Sequence, residues 1–403
     1  MHFLTSAATM NSMRLALQAE HFAAEYSSEI RALLLLGTAA RVAFYAGNQG
    51  LGFGIEPAEI ARSLAAGRGF TMSGVPSAHS APLFPFIMAG FLKLFGDGPA
   101  FSYSMIGLQI VFEWAAILIL PIVAKRLADS LFVGYCAAVV LIASNVMSLA
   151  WEGSSSVLLL ELAAIGVPGP LLCAALIGVG MLLSPVVGLA IFVIHFRWNW
   201  AFAASAVGAL MLCSPWIIRN YRVFHRLIPI RDSMGLELRL SYNPFATVSA
   251  ENYMALSTYD PIVVPQLRQD LARIGEAAVY DRLGRDAWGW IRGNPQTSLK
   301  LVFERFVAYW FPWDQPFPAV ITLVSFVGLW LSRWNALVKR LAFALFVIFP
   351  LPYYIVEHSL RYRAPTFWFT ALLAGTVLFK ALEFSGRRTT GASPASTPAA
   401  IRE

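Results

Sequence analysis

The chain has 403 residues, of which 58% are hydrophobic and 13% are charged. Soluble domains carry about a quarter charged residues, so this composition excludes a soluble globular protein. It predicts an all-α polytopic membrane protein. A net charge of +7 would favour nucleic-acid binding in a soluble protein. Here the basic residues lie between apolar segments, so we expect no nucleic-acid partner.

The N-terminal segment 1–31 has no apolar core and contains Glu20, Glu25 and Glu29. It therefore predicts a cytoplasmic leader and not a secretory signal peptide. The three cysteines lie inside apolar segments without CxxC spacing, so neither a disulfide framework nor a zinc site is expected. We also expect no cofactor and no essential metal.

About ten apolar segments are candidate transmembrane helices, although several fall short of the roughly 20 residues of a full span. They cover residues 32–48, 102–124, 130–150, 154–167, 169–184, 186–196, 199–218, 318–332, 339–356 and 365–383. Prolines interrupt the stretch 154–196, so the sequence leaves the number of helices there open.

Two segments do not look transmembrane. The first loop, 49–100, predicts a short helix over 57–66 and an apolar helix over 82–95. The large loop, 219–317, predicts a strand at 236–240 from its alternating pattern.

The large loop also predicts an amphipathic helix over 267–292 that ends at Gly293-Asn294-Pro295. The domain organisation follows from these loops. An N-terminal transmembrane module (32–218) contains the first loop, the C-terminal helices cover 318–384, and 385–403 is a disordered cytoplasmic tail.

The short loops predict the orientation of the chain. With about ten spans their basic residues all fall on one side, which the positive-inside rule makes cytoplasmic. These residues are Lys125, Arg126, Arg197, Arg333, Lys339, Arg340, Arg387 and Arg388. Both termini are then cytoplasmic, and the first loop, the large loop and a short last loop (357–364) lie outside.

Glu56 stands at the start of the helix predicted over 57–66, where Pro57 and the helix dipole favour it. Glu59 lies one turn further on. A carboxylate held at a membrane edge can act as a general base. Helix capping by Glu56 and a solvated position for Glu59 are the structural alternatives.

His79 lies in the stiff segment PSAHSAPLFP at 76–85, where it could titrate or donate to a phosphate or be an ordinary polar loop residue. Arg361 and Arg363 break the positive-inside pattern in the last loop. They favour an anionic partner such as a lipid phosphate, or they snorkel or pair with Glu357. Arg219 could bind the same anion or anchor its helix at the interface.

These residues carry a resemblance to a known family. The order of an acidic residue, a short helix, GRGF, PSAHSAPLFP and LFG resembles the first outer loop of the GT-C glycosyltransferases. The dolichyl-phosphate-mannose protein mannosyltransferases and lipid A aminoarabinose transferases are the most similar groups. Residues 215–238 (PWIIRNYRVFHRLIPIRDSMGLEL) resemble the start of the large outer loop in bacterial members. RYRAP, at 361–365, resembles the motif before their final span.

The resemblance implies a plasma-membrane enzyme that moves a sugar from a polyprenyl-phosphate donor to an extracytoplasmic glycan, lipid or protein acceptor. In that family an acidic residue of the first outer loop activates the acceptor hydroxyl, and this role maps onto Glu56, which precedes the IARSL helix. Many members have Asp, often as an Asp-Glu pair, whereas this chain has a Glu followed by Pro. The base could therefore be Glu56 or Glu59.

We expect transfer with inversion, in which Arg361 and Arg363 offset the charge on the departing phosphate. Arg219 and His79 are further candidates for contacting that phosphate. A transporter or lipid flippase is the main alternative, because Arg41, Glu113 and Glu161 lie within apolar segments. Broken helices occur only in the first half of the chain, which argues against an inverted repeat. A non-catalytic membrane scaffold is a third possibility.

Overall fold

The computed structural model describes residues 4–49, 54–144, 146, 152–166, 169–312, 314–332 and 335–388. These residues form helices and one two-stranded hairpin. Four helical segments are long and apolar enough to cross a membrane: Pro99–Ala128, Trp200–Phe224, Ala336–Ile355 and Leu360–Phe384. The helical content and these four helices confirm the prediction of an all-α membrane protein. Most of the predicted tail lies outside the described residues.

The N-terminal half contains ten helices among its described residues and the hairpin strands β1 (Thr71–Met72) and β2 (Val75–Pro76). The helices are α1 (Leu4–Glu25), α2 (Ser27–Gln49), α3 (Ile55–Ala65), α4 (Leu83–Phe95), α5 (Pro99–Ala128), α6 (Leu131–Ala143), α7 (Gly153–Ile165), α8 (Pro170–Leu183), α9 (Pro185–His195) and α10 (Trp200–Phe224).

The large loop and the C-terminal region form the remaining helices. They are α11 (Met234–Ser241), α12 (Tyr253–Tyr259), α13 (Pro265–Ile274), α14 (Glu276–Gly293), α15 (Pro295–Trp310), α16 (Pro316–Leu331), α17 (Ala336–Phe343), α18 (Leu351–Ile355) and α19 (Ala364–Arg388). A π-helical segment, Ala344–Ile348, links α17 to α18, and a 3₁₀ segment, Leu360–Arg363, precedes α19.

Each predicted span overlaps at least one helix, and the span 339–356 covers α17, the π-helical segment and α18. The count of ten membrane crossings stays a prediction. Helices α6 and α7 have 13 residues each, which makes them about 20 Å long at 1.5 Å per residue. A straight crossing of the hydrocarbon core needs about 30 Å. In the 154–196 region, Pro170 and Pro185 occupy first-turn positions of α8 and α9, where the missing N–H costs no helical hydrogen bond.

Helix α19 forms the centre of the bundle, in contact with α1, α6, α7 and α16. Phe367, Trp368 and Phe369 are almost completely buried there. Gly328 of α16 lies so close to α19 that a Cβ atom there would overlap the Leu373 carbonyl oxygen. Small residues at such contacts let membrane helices approach closely.

The predicted strand at 236–240 is wrong, because these residues form the helix α11. Leu236 and Leu240 pack into one apolar cluster, and Leu238 packs into a second one. A short helix buried on two sides produces the same alternating pattern as a strand. The helix predicted over 267–292 is interrupted at Gly275, whose φ of 83° separates α13 from α14 and favours glycine.

The first loop and the large loop pack against each other. The Asp232 amide donates to the Ala78 carbonyl at 2.8 Å, and the Ala78 amide donates to Glu276 Oε1 at 2.6 Å. The last loop joins them, because the His358 amide donates to the Val248 carbonyl at 2.8 Å. The three loops therefore form one layer at one end of the bundle.

Candidate functional site

A cavity of about 260 Å³ lies where the three loops meet the N-terminal ends of α7 and α9. Its size is near the lower end, roughly 300 Å³, of small-molecule sites in proteins. Its polar wall consists of Glu56, His79, Ser80, Glu152, Ser184, Arg231, Ser233, Glu237, Arg361, Tyr353 and Tyr362. Three predicted site residues, Glu56, His79 and Arg361, are therefore brought together from loops up to about 300 positions apart in sequence.

The structure separates the two candidate bases. Glu56 lies in the first turn of α3 and lines the cavity. Glu59 Oε1 instead accepts the Ser73 amide at 2.6 Å. Ser73 and Gly74 form the turn of the β hairpin, both with positive φ, so Glu59 holds that turn. The sequence left the choice between these residues open, and the geometry favours Glu56.

His79 forms part of the buried end of the cavity. Its Nδ1 atom lies 2.9 Å from the Tyr280 hydroxyl, and its amide donates to Ser77 Oγ at 3.0 Å. Burial lowers the pKa of His79. Glu56 and Glu237 raise it, and Arg231 lowers it further. The ring is therefore neutral at physiological pH and suited to hydrogen bonding.

Arg361 supplies the cavity with a cation whose side chain is exposed within it. Its guanidinium donates to the Tyr362 hydroxyl at 3.2 Å. Tyr362 in turn stacks on Tyr353, with ring centroids 4.5 Å apart. Within the described part of the chain, no carboxylate forms a direct ion pair with Arg361. The group is therefore available to an anionic ligand.

Arg363 and Arg219 do not line the cavity. Arg363 is completely buried; it donates to the Trp310 carbonyl at 3.2 Å and to the Thr322 hydroxyl. It therefore joins the start of α19 to α15 and α16.

Arg219 donates to the carbonyls of Ser77 and Phe70 at 2.7 and 2.9 Å, and its guanidinium lies 5.0 Å from the centroid of the Trp216 ring. These contacts hold the first loop against α10. The predicted phosphate contacts of Arg363 and Arg219 are thus replaced by structural hydrogen bonds to the backbone and to a hydroxyl.

The sequence interpretation missed Glu152, Arg231 and Glu237. Arg231 pairs with Glu237 at 3.1 Å and donates to Ser233 Oγ at 2.9 Å. Glu152 immediately precedes α7, just as Glu56 lies at the start of α3. Burial raises the pKa of Glu152 to about 7, and Arg231 and Arg361 oppose the rise. An acidic residue at the start of an apolar helix was thus a usable signal in both cases.

No protein-family model, curated protein or solved structure matches the chain. The resemblance to GT-C glycosyltransferases therefore depends on the loop motifs alone. The chemistry of the cavity is the remaining basis on which a function can be assigned.

Proposed function

We propose that this protein is a plasma-membrane glycosyltransferase that moves a sugar from a polyprenyl-phosphate donor to an extracytoplasmic acceptor with inversion. The observation that carries the proposal is that Glu56 and Arg361 line one cavity. The first is a base and the second a cation without an ion-paired carboxylate. An inverting displacement requires these two groups on either side of one reaction centre.

In the proposed reaction, the acceptor hydroxyl attacks the anomeric carbon while Glu56 accepts its proton. The bond between that carbon and the phosphate oxygen breaks, and the polyprenyl phosphate leaves with the electron pair. Arg361 offsets the negative charge of the departing phosphate. Neutral His79 contributes a hydrogen bond to a sugar or acceptor hydroxyl. Arg363 and Arg219 act by positioning the loops.

Incubation of the purified protein with labelled polyprenyl-phosphate sugars and candidate acceptors tests the proposal. We expect mass spectrometry to detect a glycosylated acceptor together with free polyprenyl phosphate. NMR spectroscopy of the product should show the anomeric configuration opposite to that of the donor. Retention of configuration would contradict a single displacement.

One observation favours the transporter or flippase alternative. Glu161 of α7 is completely buried, and neither carboxylate oxygen has a hydrogen-bond partner among the described residues. Unpaired ionisable groups inside a membrane protein often mark transport paths. Arg41 and Glu113, in contrast, pair with each other and so link α2 to α5. Lipid movement across proteoliposomes that Glu161→Gln abolishes, without sugar transfer by either protein, would support the alternative.

A further inference from the structure

The cavity continues into a small inner chamber between α7, α9 and the 3₁₀ segment before α19. The inner chamber is lined by Glu152, Gly153, Ser156, Ser184, Tyr353, Arg361 and Tyr362, together with apolar side chains. Its volume is about 20 Å³, enough for one water-sized group, which needs roughly 10–15 Å³. A single oxygen of a larger ligand in the cavity could therefore enter it.

The hydroxyl of Ser156 indicates that a ligand atom belongs in this chamber. Its side chain is completely buried, and its hydroxyl has no hydrogen-bond partner among the described residues. The hydroxyls of the two preceding serines do have partners. The Ser154 hydroxyl donates to the Glu113 carboxylate at 3.3 Å, and the Ser155 hydroxyl donates to the Glu152 carbonyl at 3.1 Å. A buried hydroxyl without a partner is unfavourable, because it has lost its hydrogen bonds to water. It is explained if a ligand atom completes the site.

The groups around Ser156 favour an anion. The first turn of α7, beginning at Gly153, presents backbone N–H groups that have no partner within the helix. The helix dipole adds positive potential at the same place. Arg361 lines the chamber as well, and its planar guanidinium suits phosphate oxygens.

Glu152 is the unusual member of this site, because a carboxylate would repel a phosphate. It lies at the boundary between the cavity and the inner chamber and lines both. The charged and titratable groups that share these walls are Arg361, Arg231, Glu237, Glu56, His79, Tyr353 and Tyr362. Arg231 is already paired with Glu237, and His79 is neutral. Uptake of a proton by Glu152 removes this repulsion and leaves Arg361 to the phosphate.

We propose that the first turn of α7, Ser156 and Arg361 bind the phosphate of a lipid-linked ligand, and that Glu152 takes up a proton from solvent when that phosphate binds. The identity of the ligand as a glycosyl donor rests on the proposed function; the phosphate subsite does not. The pKa of Glu152, about 7, puts this proton uptake within the physiological range. A bound phosphate raises that pKa further, because it adds negative charge beside the carboxyl.

The test measures the affinity of the full-length protein for geranylgeranyl methyl phosphate, whose phosphodiester keeps one negative charge at all pH values used. Wild-type Kd should rise as the pH increases above about 7, approaching tenfold per pH unit, as expected for uptake of one proton. Glu152→Gln should bind as tightly as the wild type at acidic pH and show no such dependence. Geranylgeraniol, which lacks the phosphate, should bind without pH dependence in both proteins.

Glu357→Gln is the matched control. Burial raises the pKa of Glu357 to about 8, so this residue also titrates near neutral pH, but it does not line the cavity. The variant should keep the wild-type pH dependence. A pH-independent wild-type Kd, or an unchanged pH dependence in Glu152→Gln, would overturn the proposal.

Ser156→Ala provides a second test that does not involve titration. The substitution removes a buried hydroxyl without a partner, so the thermal unfolding temperature should stay equal or increase. Affinity for the phosphodiester should nevertheless fall by about two- to tenfold, the usual effect of one lost hydrogen bond. A parallel loss of stability and affinity would instead indicate a structural role and contradict the subsite.

These binding measurements need no turnover. Phosphodiester binding with the expected pH dependence, but no sugar transfer, would reject the proposed glycosyltransferase and leave the subsite standing. Suppose instead that the protein transfers sugar and that Glu152→Gln keeps the wild-type pH dependence of binding. That result would support the glycosyltransferase and reject proton uptake by Glu152.

Discussion

Glu56 and Glu59 lie one helical turn apart, but their side chains have different neighbours. Glu56 faces the cavity, whereas Glu59 holds the turn of the β hairpin. We expect Glu56→Gln to lower turnover by about a hundredfold to ten-thousandfold, the usual contribution of a general base. Donor binding should remain within about twofold, because the amide preserves the shape of the side chain. Initial rates and equilibrium binding measured on one preparation check both expectations.

Glu59→Gln is the control for this variant. Its side-chain oxygen can still accept the Ser73 amide, so both turnover and folding should change little. Collapse of turnover in Glu59→Gln, with normal turnover in Glu56→Gln, would move the base by one turn. Normal turnover in both variants would remove this loop from the chemistry.

Arg361 and Arg363 also have different roles, the first in ligand binding and the second in stability. We expect Arg361→Gln to weaken binding of a polyprenyl phosphate without lowering the unfolding temperature, because the side chain is exposed within the cavity. Arg363→Gln should destabilise the protein by roughly 1–3 kcal/mol, because it removes buried hydrogen bonds to Trp310 and Thr322. Thermal unfolding in detergent and lipid-phosphate titration distinguish the two effects. Wild-type affinity in Arg361→Gln would contradict its assignment.

The sequence predicted the cavity residues that lie in recognisable loop motifs, but not their partners. Glu56, His79 and Arg361 were found from their positions in those motifs. Arg231 reaches the cavity only through tertiary packing, which no local pattern reports. Glu152 precedes an apolar helix, which is a local signal, but its neighbours in the cavity also depend on tertiary packing. Arg363 was misplaced because a 3₁₀ segment turns about 120° per residue. Residues two apart in it therefore point in different directions, so one arginine faces the cavity and the other faces the bundle.

At the scale of elements, apolar runs located the helices well because length and hydropathy are local properties. The starts of α8 and α9 coincide with prolines at first-turn positions. The errors arose where tertiary contacts decide the outcome. Burial on two sides made α11 resemble a strand, and one positive-φ glycine divided the helix predicted over 267–292.

Close packing of α16 on α19 gives a prediction at this scale. Gly328→Ala should destabilise the protein by about 1–3 kcal/mol, the usual cost of overpacking, because the added Cβ would overlap the Leu373 carbonyl. Gly289 of α14 is exposed, and a Cβ atom there meets nothing within 4 Å. Gly289→Ala should therefore stabilise α14 by about 0.5–1 kcal/mol. Thermal unfolding of both variants checks this; equal effects would contradict the described packing.

For the whole molecule, the layer formed by the three loops decides where the cavity opens. Arg305 ties this layer together, since it donates to the carbonyls of Ile355 at 2.8 Å and Ser241 at 2.7 Å. Because the loops are packed on one another, they lie on the same side of the bundle. Determining the side of one exposed position therefore determines the side of the cavity.

Ser249 is a suitable position for that measurement, because it is exposed in the large loop. Its backbone bridges to His358 of the last loop. Trp198 is a matched control: it is 95% exposed in the loop between α9 and α10, which the positive-inside rule assigns to the cytoplasm. Native cysteines contribute little background, since Cys173 and Cys213 are buried and Cys136 is half-buried within α6.

We expect a membrane-impermeant maleimide to label Ser249→Cys in right-side-out spheroplasts and Trp198→Cys only after lysis. The physical reason is the charge of the short loops, whose lysines and arginines are retained on the cytoplasmic side. The opposite labelling pattern would place the cavity in the cytoplasm and contradict transfer to an extracytoplasmic acceptor. Labelling of both variants before lysis would mean that 198 and 249 lie on one side, which changes the number of crossings between them. Because α10 is the one long apolar helix between these positions in the described chain, that result would remove α10 from the set of membrane-spanning helices.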